Sequence, residues 1–144
     1  MKKHALLILI VLGVSTAAWA GPWACVDVPA CVCSDQCVAV KVGACIPGQF
    51  NECQTRVESC VQGGFIFVDI YLTRYDKCQG SLNLCESVQV GTLCPGVYSV
   101  VARVYVKDVG PCTLPFLRPV LTAIGSANLR VVCCDPCCWP WPFW

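Results

Sequence analysis

The chain has 144 residues, with 15 Cys, ten Lys plus Arg against nine Asp plus Glu, and a single His. A formal charge of +1 excludes the strongly basic signature of a nucleic-acid binder. At 56% hydrophobic and 13% charged it is no disordered acidic or basic tail, and this density of Cys reads as a disulfide scaffold.

Residues 1–20 read as a Sec-type signal peptide. Met1-Lys2-Lys3-His4 is a short basic start, Ala5–Val14 is an apolar run, and Ala18-Trp19-Ala20 is a small-x-small cleavage site before Gly21. The run is well short of the roughly 20 residues that span a bilayer, so no transmembrane segment is expected after cleavage. Pro22 argues against a lipoprotein anchor at Cys25. The expected location is secreted or cell-surface, outside the cytoplasm.

Cleavage after Ala20 removes the only His and the only Met and keeps every Cys. Without an imidazole, Ser-His-Asp and Cys-His catalysis are excluded, as are His-containing zinc, copper and haem sites. The acids are scattered singly (Asp27, Asp35, Glu52, Glu58, Asp69, Asp76, Glu86, Asp108 and Asp135) and read as solvated surface charge. No catalytic residue, metal ligand or cofactor is expected, and the chain is not expected to be an enzyme.

Residues 21–37 form a Cys-rich N-terminal segment, 38–134 a single β-sandwich domain, and 135–144 a Cys/Trp/Pro tail. The first strand candidates are Val38–Val42 and Arg56–Val61. Phe65–Leu72 follows Gly63-Gly64, and its two faces are both largely apolar, so it is expected to be central. Ser87–Leu93 comes next. Val97–Lys107 alternates most clearly, with Tyr98, Val100, Ala102, Val104 and Val106 on one face and Ser99, Arg103, Tyr105 and Lys107 on the other. Pro95-Gly96 suits the centre of a type II turn ahead of it. Arg118–Ile124 and Asn128–Cys134 complete the set, with turns expected at Pro47-Gly48, Gly80-Ser81, Gly110-Pro111 and Gly125-Ser126. Leu93 to Val100 resembles the Leu-x-Pro-Gly-x-Tyr-x-Val lead-in to a strand in immunoglobulin-like and transthyretin-like sandwiches. The expected fold class is all-β: one disulfide-rich sandwich, immunoglobulin-like or jelly-roll-like.

The cysteines fall into three groups. Cys25, Cys31, Cys33, Cys37, Cys45, Cys53 and Cys60 crowd the N-terminal part; Cys78, Cys85, Cys94 and Cys112 are spread through the sandwich at loop or strand-edge positions; Cys133, Cys134, Cys137 and Cys138 close the domain. Disulfides are the expected state outside the cytoplasm, with a pairing that spacing does not reveal. Fifteen is odd, so full oxidation leaves one thiol for another molecule. An idle free thiol is the alternative, and the exposed look of the terminal clusters favours cross-linking.

The Cys133-Cys134-Asp135-Pro136-Cys137-Cys138 cluster has three readings. A redox-active Cys134/Cys137 pair needs a helix starting at the motif, which Pro140 and Pro142 forbid. Metal or iron–sulfur binding meets neither the paired-knuckle nor the ferredoxin spacing. A staple to the domain or to a neighbouring subunit fits better. Trp139, Trp141, Phe143 and Trp144 make the tail an extended aromatic ribbon. It either folds back over its own sandwich or seeks a groove, a carbohydrate face, a membrane interface or a neighbouring subunit.

The expected function is that of a secreted, disulfide-stabilised structural protein. It would self-assemble into an extracellular filament, coat or envelope layer, cross-linked by intermolecular disulfides and tail contacts. Its partner would be itself, or another surface protein. A monomeric binding or inhibitory module using the tail or loops is the alternative, and a thiol-disulfide oxidoreductase using Cys134 and Cys137 the third.

Overall fold

The computed structural model describes residues 21–110 and 118–134. Seven strands account for most of them: β1 (Trp23–Asp27), β2 (Cys31–Cys33), β3 (Val38–Phe50), β4 (Arg56–Gln62), β5 (Phe65–Gly91), β6 (Gly96–Asp108) and β7 (Val120–Val132). One 3-10 turn at Glu52–Gln54 separates β3 from β4, and there is no α-helix among the described residues. The fold is all-β, as its alternating hydrophobicity predicts.

The expected arrangement of two separate sheets is not clearly present. The strands form one mixed sheet in the order β1-β3-β5-β6-β7-β2, with β4 added to β5. That sheet curls into a half-barrel. The reason lies in β5, which is long enough to serve both halves. Its first part, Phe65–Arg74, lies between antiparallel β4 and parallel β6; its second part pairs antiparallel with β3. Phe65–Leu72 is therefore central in its hydrogen bonding. Its inner face is buried while the outer stays partly open.

Several turn signals became bends within strands. Pro47-Gly48 falls inside β3 at a register shift, where Gly48 takes φ +124°. A Cβ there would run into the Arg74 side chain, so glycine is required twice over. Gly80-Ser81 likewise lies inside β5, with Gly80 at φ +72°. Gly125-Ser126 lies inside β7, which merges Arg118–Ile124 and Asn128–Cys134 into one strand. Ser87–Leu93 is absorbed into β5 as far as Gly91. Gly63-Gly64 is a true turn, joining β4 to β5 where Gln62 pairs with Phe65. The type II turn at Pro95-Gly96 does not form: Gly96 has no positive φ and already begins β6. Tyr98 supplies the order there instead, its hydroxyl donating to the Cys94 carbonyl at 2.8 Å.

The core is wholly apolar. Alternate residues of β3 (Val38 to Ile46), β5 (Ile66 to Leu72) and β6 (Tyr98 to Val106) point into it, with Ala123, Leu129 and Val131 from β7. No polar or charged side chain is buried among the described residues. β1 and β2 come from the Cys-rich stretch and were not foreseen as strands. β1 pairs with β3, and β2 runs parallel to β7. β1 also crosses close over β7: a Cβ on Gly125 would lie 2.7 Å from the Ala24 carbonyl oxygen. Close approach of backbone, not a turn, is what this glycine permits.

Candidate interaction site

With an apolar core, the chemistry of the described residues lies on the surface, and the cysteines dominate it. Cys33 is bonded to Cys134, a pair 101 residues apart in sequence with Cα atoms 5.3 Å apart. This bond ties β2 to the chain just beyond β7, where the Ser34 amide also donates to the Val132 carbonyl at 2.9 Å. Cys133 is disulfide-bonded too. The Cys33–Cys134 bond staples the C-terminal cluster to the chain's own N-terminal Cys-rich stretch, a pairing that spacing did not indicate. It takes Cys134 away from the Cys134/Cys137 dithiol.

Nine described cysteines are free thiols. Cys25, Cys31, Cys37, Cys53, Cys60, Cys78, Cys85 and Cys94 are exposed, and Cys45 is half-buried. Cys78 and Cys85 lie within the second half of β5, and Cys94 in the β5–β6 connection. Register gathers three of the nine. Cys25 and Cys85 sit opposite Gly43 from its two sides, on β1 and β5, and Cys45 is two residues along β3 on the same outer face. A Cβ on Gly43 would come within 2.9 Å of the Cys25 sulfur, so the small residue leaves room for that thiol to lie across β3. No group of three or more Cys, His, Asp or Glu among the described residues is placed to hold a metal ion.

A second surface covers the outer face of β4, β5 and β6. Tyr71 stacks on Tyr105 at 5.1 Å between centroids, and Phe65 on Phe67 at 5.7 Å. Arg56 lies over Tyr71 and Arg103 over Phe67, each about 4.5 Å from the ring centre. Arg103 also grips Asp69 with two hydrogen bonds, Nε to Oδ1 at 2.6 Å and Nη2 to Oδ2 at 2.7 Å. The Asp69 carboxylate raises the Arg103 pKa above its ordinary value, against the opposing effect of burial. Alternation placed Arg103 and Tyr105 on this face in advance. Their partners on β5 depend on the parallel register, which no local signal encodes.

Exposed apolar side chains concentrate where β1 meets β7. Trp23, Leu121 and Ile124 flank a shallow groove of about 390 Å³, with Val120 exposed beside Leu121. Cys112, Cys137, Cys138 and the tail residues Trp139, Trp141, Phe143 and Trp144 lie outside the described residues, as does the expected signal peptide. Comparison of the chain with protein-family models, curated proteins and solved structures finds no match.

Proposed function

We propose that this chain is a secreted structural protein, a self-assembling subunit of an extracellular filament, coat or envelope layer, locked to its neighbours by disulfides. One observation carries the reading: among the described residues, eight exposed free thiols stand on a body whose buried side chains are all apolar. Outside the cytoplasm, an oxidant such as dioxygen or a donor disulfide takes two electrons and two protons from a pair of thiols on adjacent copies, which leaves an intermolecular disulfide and the reduced oxidant. The curled sheet is then an opened relative of the immunoglobulin-like or jelly-roll-like sandwich. The Tyr98 hydroxyl bonded back to the Cys94 carbonyl supports that kinship, since such sandwiches use a tyrosine in the same way. Non-reducing and reducing gels of native material test the function. A ladder that collapses with reductant is the expected result, and a monomer under both conditions overturns it.

The competing reading, a monomeric binding module, draws support from the ring-and-guanidinium face of Phe67, Tyr71, Tyr105 and Arg103. Monomeric native protein with titratable thiols would favour it.

A further inference from the structure

The second half of β5 is a strand with one side open. From Ser81 to Gly91 it pairs with β3, and among the described residues no strand pairs with its other edge, because β6 stops alongside Arg74. Open edges in β proteins are usually guarded by charge, proline or bulges. The β4 edge carries exposed Arg56 and Glu58, paired at 3.2 Å. The β5 edge has no such guard on its outer face, which presents Asn83, Cys85, Ser87 and Gln89; Glu86 is its one inward charge. Its inward row of Leu82, Leu84, Val88 and Val90 packs on the core yet stays only partly buried, while the adjacent β3 row is sealed. A groove of about 360 Å³ opens beside Leu82 and Leu84, bordered by Glu52 and Thr55. What this edge lacks is one more strand with large apolar side chains on a single face.

Such a segment exists in the sequence. Every proline after Cys134 falls at an even position (Pro136, Pro140 and Pro142), while Trp139, Trp141 and Phe143 fall at odd ones. In an extended chain, alternate residues share a face and turn their amides to the same side. The odd residues therefore keep an unbroken line of N–H donors and one aromatic face, and the prolines fall where an edge strand needs no donor. Beyond Asp135 the segment has no charged side chain, which suits an edge whose outer face has none. Ten residues after Cys134 reach roughly 33 Å when extended, and the Trp139–Phe143 part of them spans roughly 17 Å, about half of the open edge. Cys134 itself is anchored to β2, and in the sheet order β6 and β7 stand between β2 and β5.

We infer that the Trp139–Phe143 segment of a second copy adds as a strand to the Ser81–Val90 edge, its three aromatic residues covering three successive positions of the inward row that holds Leu82, Leu84, Glu86, Val88 and Val90. The inference rests on the assembly reading and gives it a geometry. The donating segment and the accepting edge are different surfaces, so the contact is head-to-tail and repeats into an open chain. Mixing two variants of the full chain tests it, read by light scattering after size exclusion and by amide hydrogen exchange. Trp139→Ser/Trp141→Ser removes the donor, and Leu84→Lys puts a charge into the accepting row. Each alone is expected to be monomeric, and the mixture to form a one-to-one pair that grows no further. Exchange at 81–90 should slow about tenfold in the copy with the intact edge. If Leu84→Lys lowers the strand content, Val88→Lys replaces it. A mixture that stays monomeric, with the wild-type edge already protected in single copies, shows the segment folded onto its own chain and overturns the inference. A donor variant that assembles like wild type overturns it while leaving assembly standing. Wild-type protein that is monomeric throughout overturns both.

Discussion

The two halves of β5 share one strand and one alternating pattern, yet they do opposite things. In Phe65–Arg74, neighbours on both sides seal Ile66, Val68, Ile70 and Leu72 to 2% exposure or less. In Ser81–Gly91 a single neighbour leaves Leu82, Leu84, Val88 and Val90 partly open. Burial in a sheet is therefore set less by the side chain than by how many strands flank it. The doubly flanked half holds the fold together. Among the described residues, the singly flanked half has one strand edge without a partner strand and a part-open apolar row, the two things an added strand would satisfy.

The sharpest way to break this contrast is truncation on each side of it. Ile70→Ala should cost about 3 kcal/mol or more, within the range for deleting a fully buried aliphatic side chain. Leu84→Ala should cost about 1 kcal/mol, because part of that side chain already faces water. Urea unfolding of both variants measures the difference, and equal costs would mean that the open half is as much core as the closed one. Next in size is the staple. Cys33→Ser with Cys134→Ser should lower stability by about 3 kcal/mol, the middle of the usual range for a disulfide bond. Cys85→Ser, in the open half, should leave unfolding almost unchanged and reduce only the reductant-sensitive ladder.

Much of the closed half was legible in the sequence. The alternation of Val97–Lys107 gave β6 almost residue for residue, and the twin apolar faces of Phe65–Leu72 marked a central strand. The open half was not legible, for a physical reason. Pro47-Gly48 and Gly80-Ser81 are ordinary turn signals, but here they sit across from each other in a paired ribbon and bend both strands together. A bend and a turn use the same residues; only the partner strand tells them apart. The short strands β1 and β2 were hidden for another reason. Trp23–Asp27 and Cys31–Cys33 are too brief to show a period, and their pairing is decided by β3 and β7. Register also decides which cysteines share a face: Cys25, Cys45 and Cys85 are apart in sequence and gather only around Gly43. Of the candidate site, the exposure of the N-terminal cysteines was anticipated, but the open β5 edge was not.

An effect smaller than that of the staple, and dependent on pH, lies at the corner where the two halves join. Arg74 is the last β5 residue beside β6, and it is held on both sides of the bend. Its Nε and Nη2 donate to the two Asp108 carboxylate oxygens at 2.6 and 3.1 Å, and its Nη1 donates to the Pro47 carbonyl at 2.9 Å. The hydrogen bonds from Arg74 hold the Asp108 pKa below its ordinary 3.8, in spite of partial burial. A carboxylate held low in the folded state contributes its stabilisation above the unfolded pKa and loses it as pH falls through the folded one. The Arg74–Asp108 contribution should therefore be complete at pH 6 and fade below about pH 4. With the Asp108 side chain 42% exposed, solvent screening keeps the expected difference under about 1 kcal/mol. Unfolding of wild type and Asp108→Asn at pH 6 and pH 3 isolates it: the gap between them should narrow in acid. A gap that stays constant would mean that the corner is held by the Pro47 contact and the two glycine bends, and that the halves of β5 meet without help from charge.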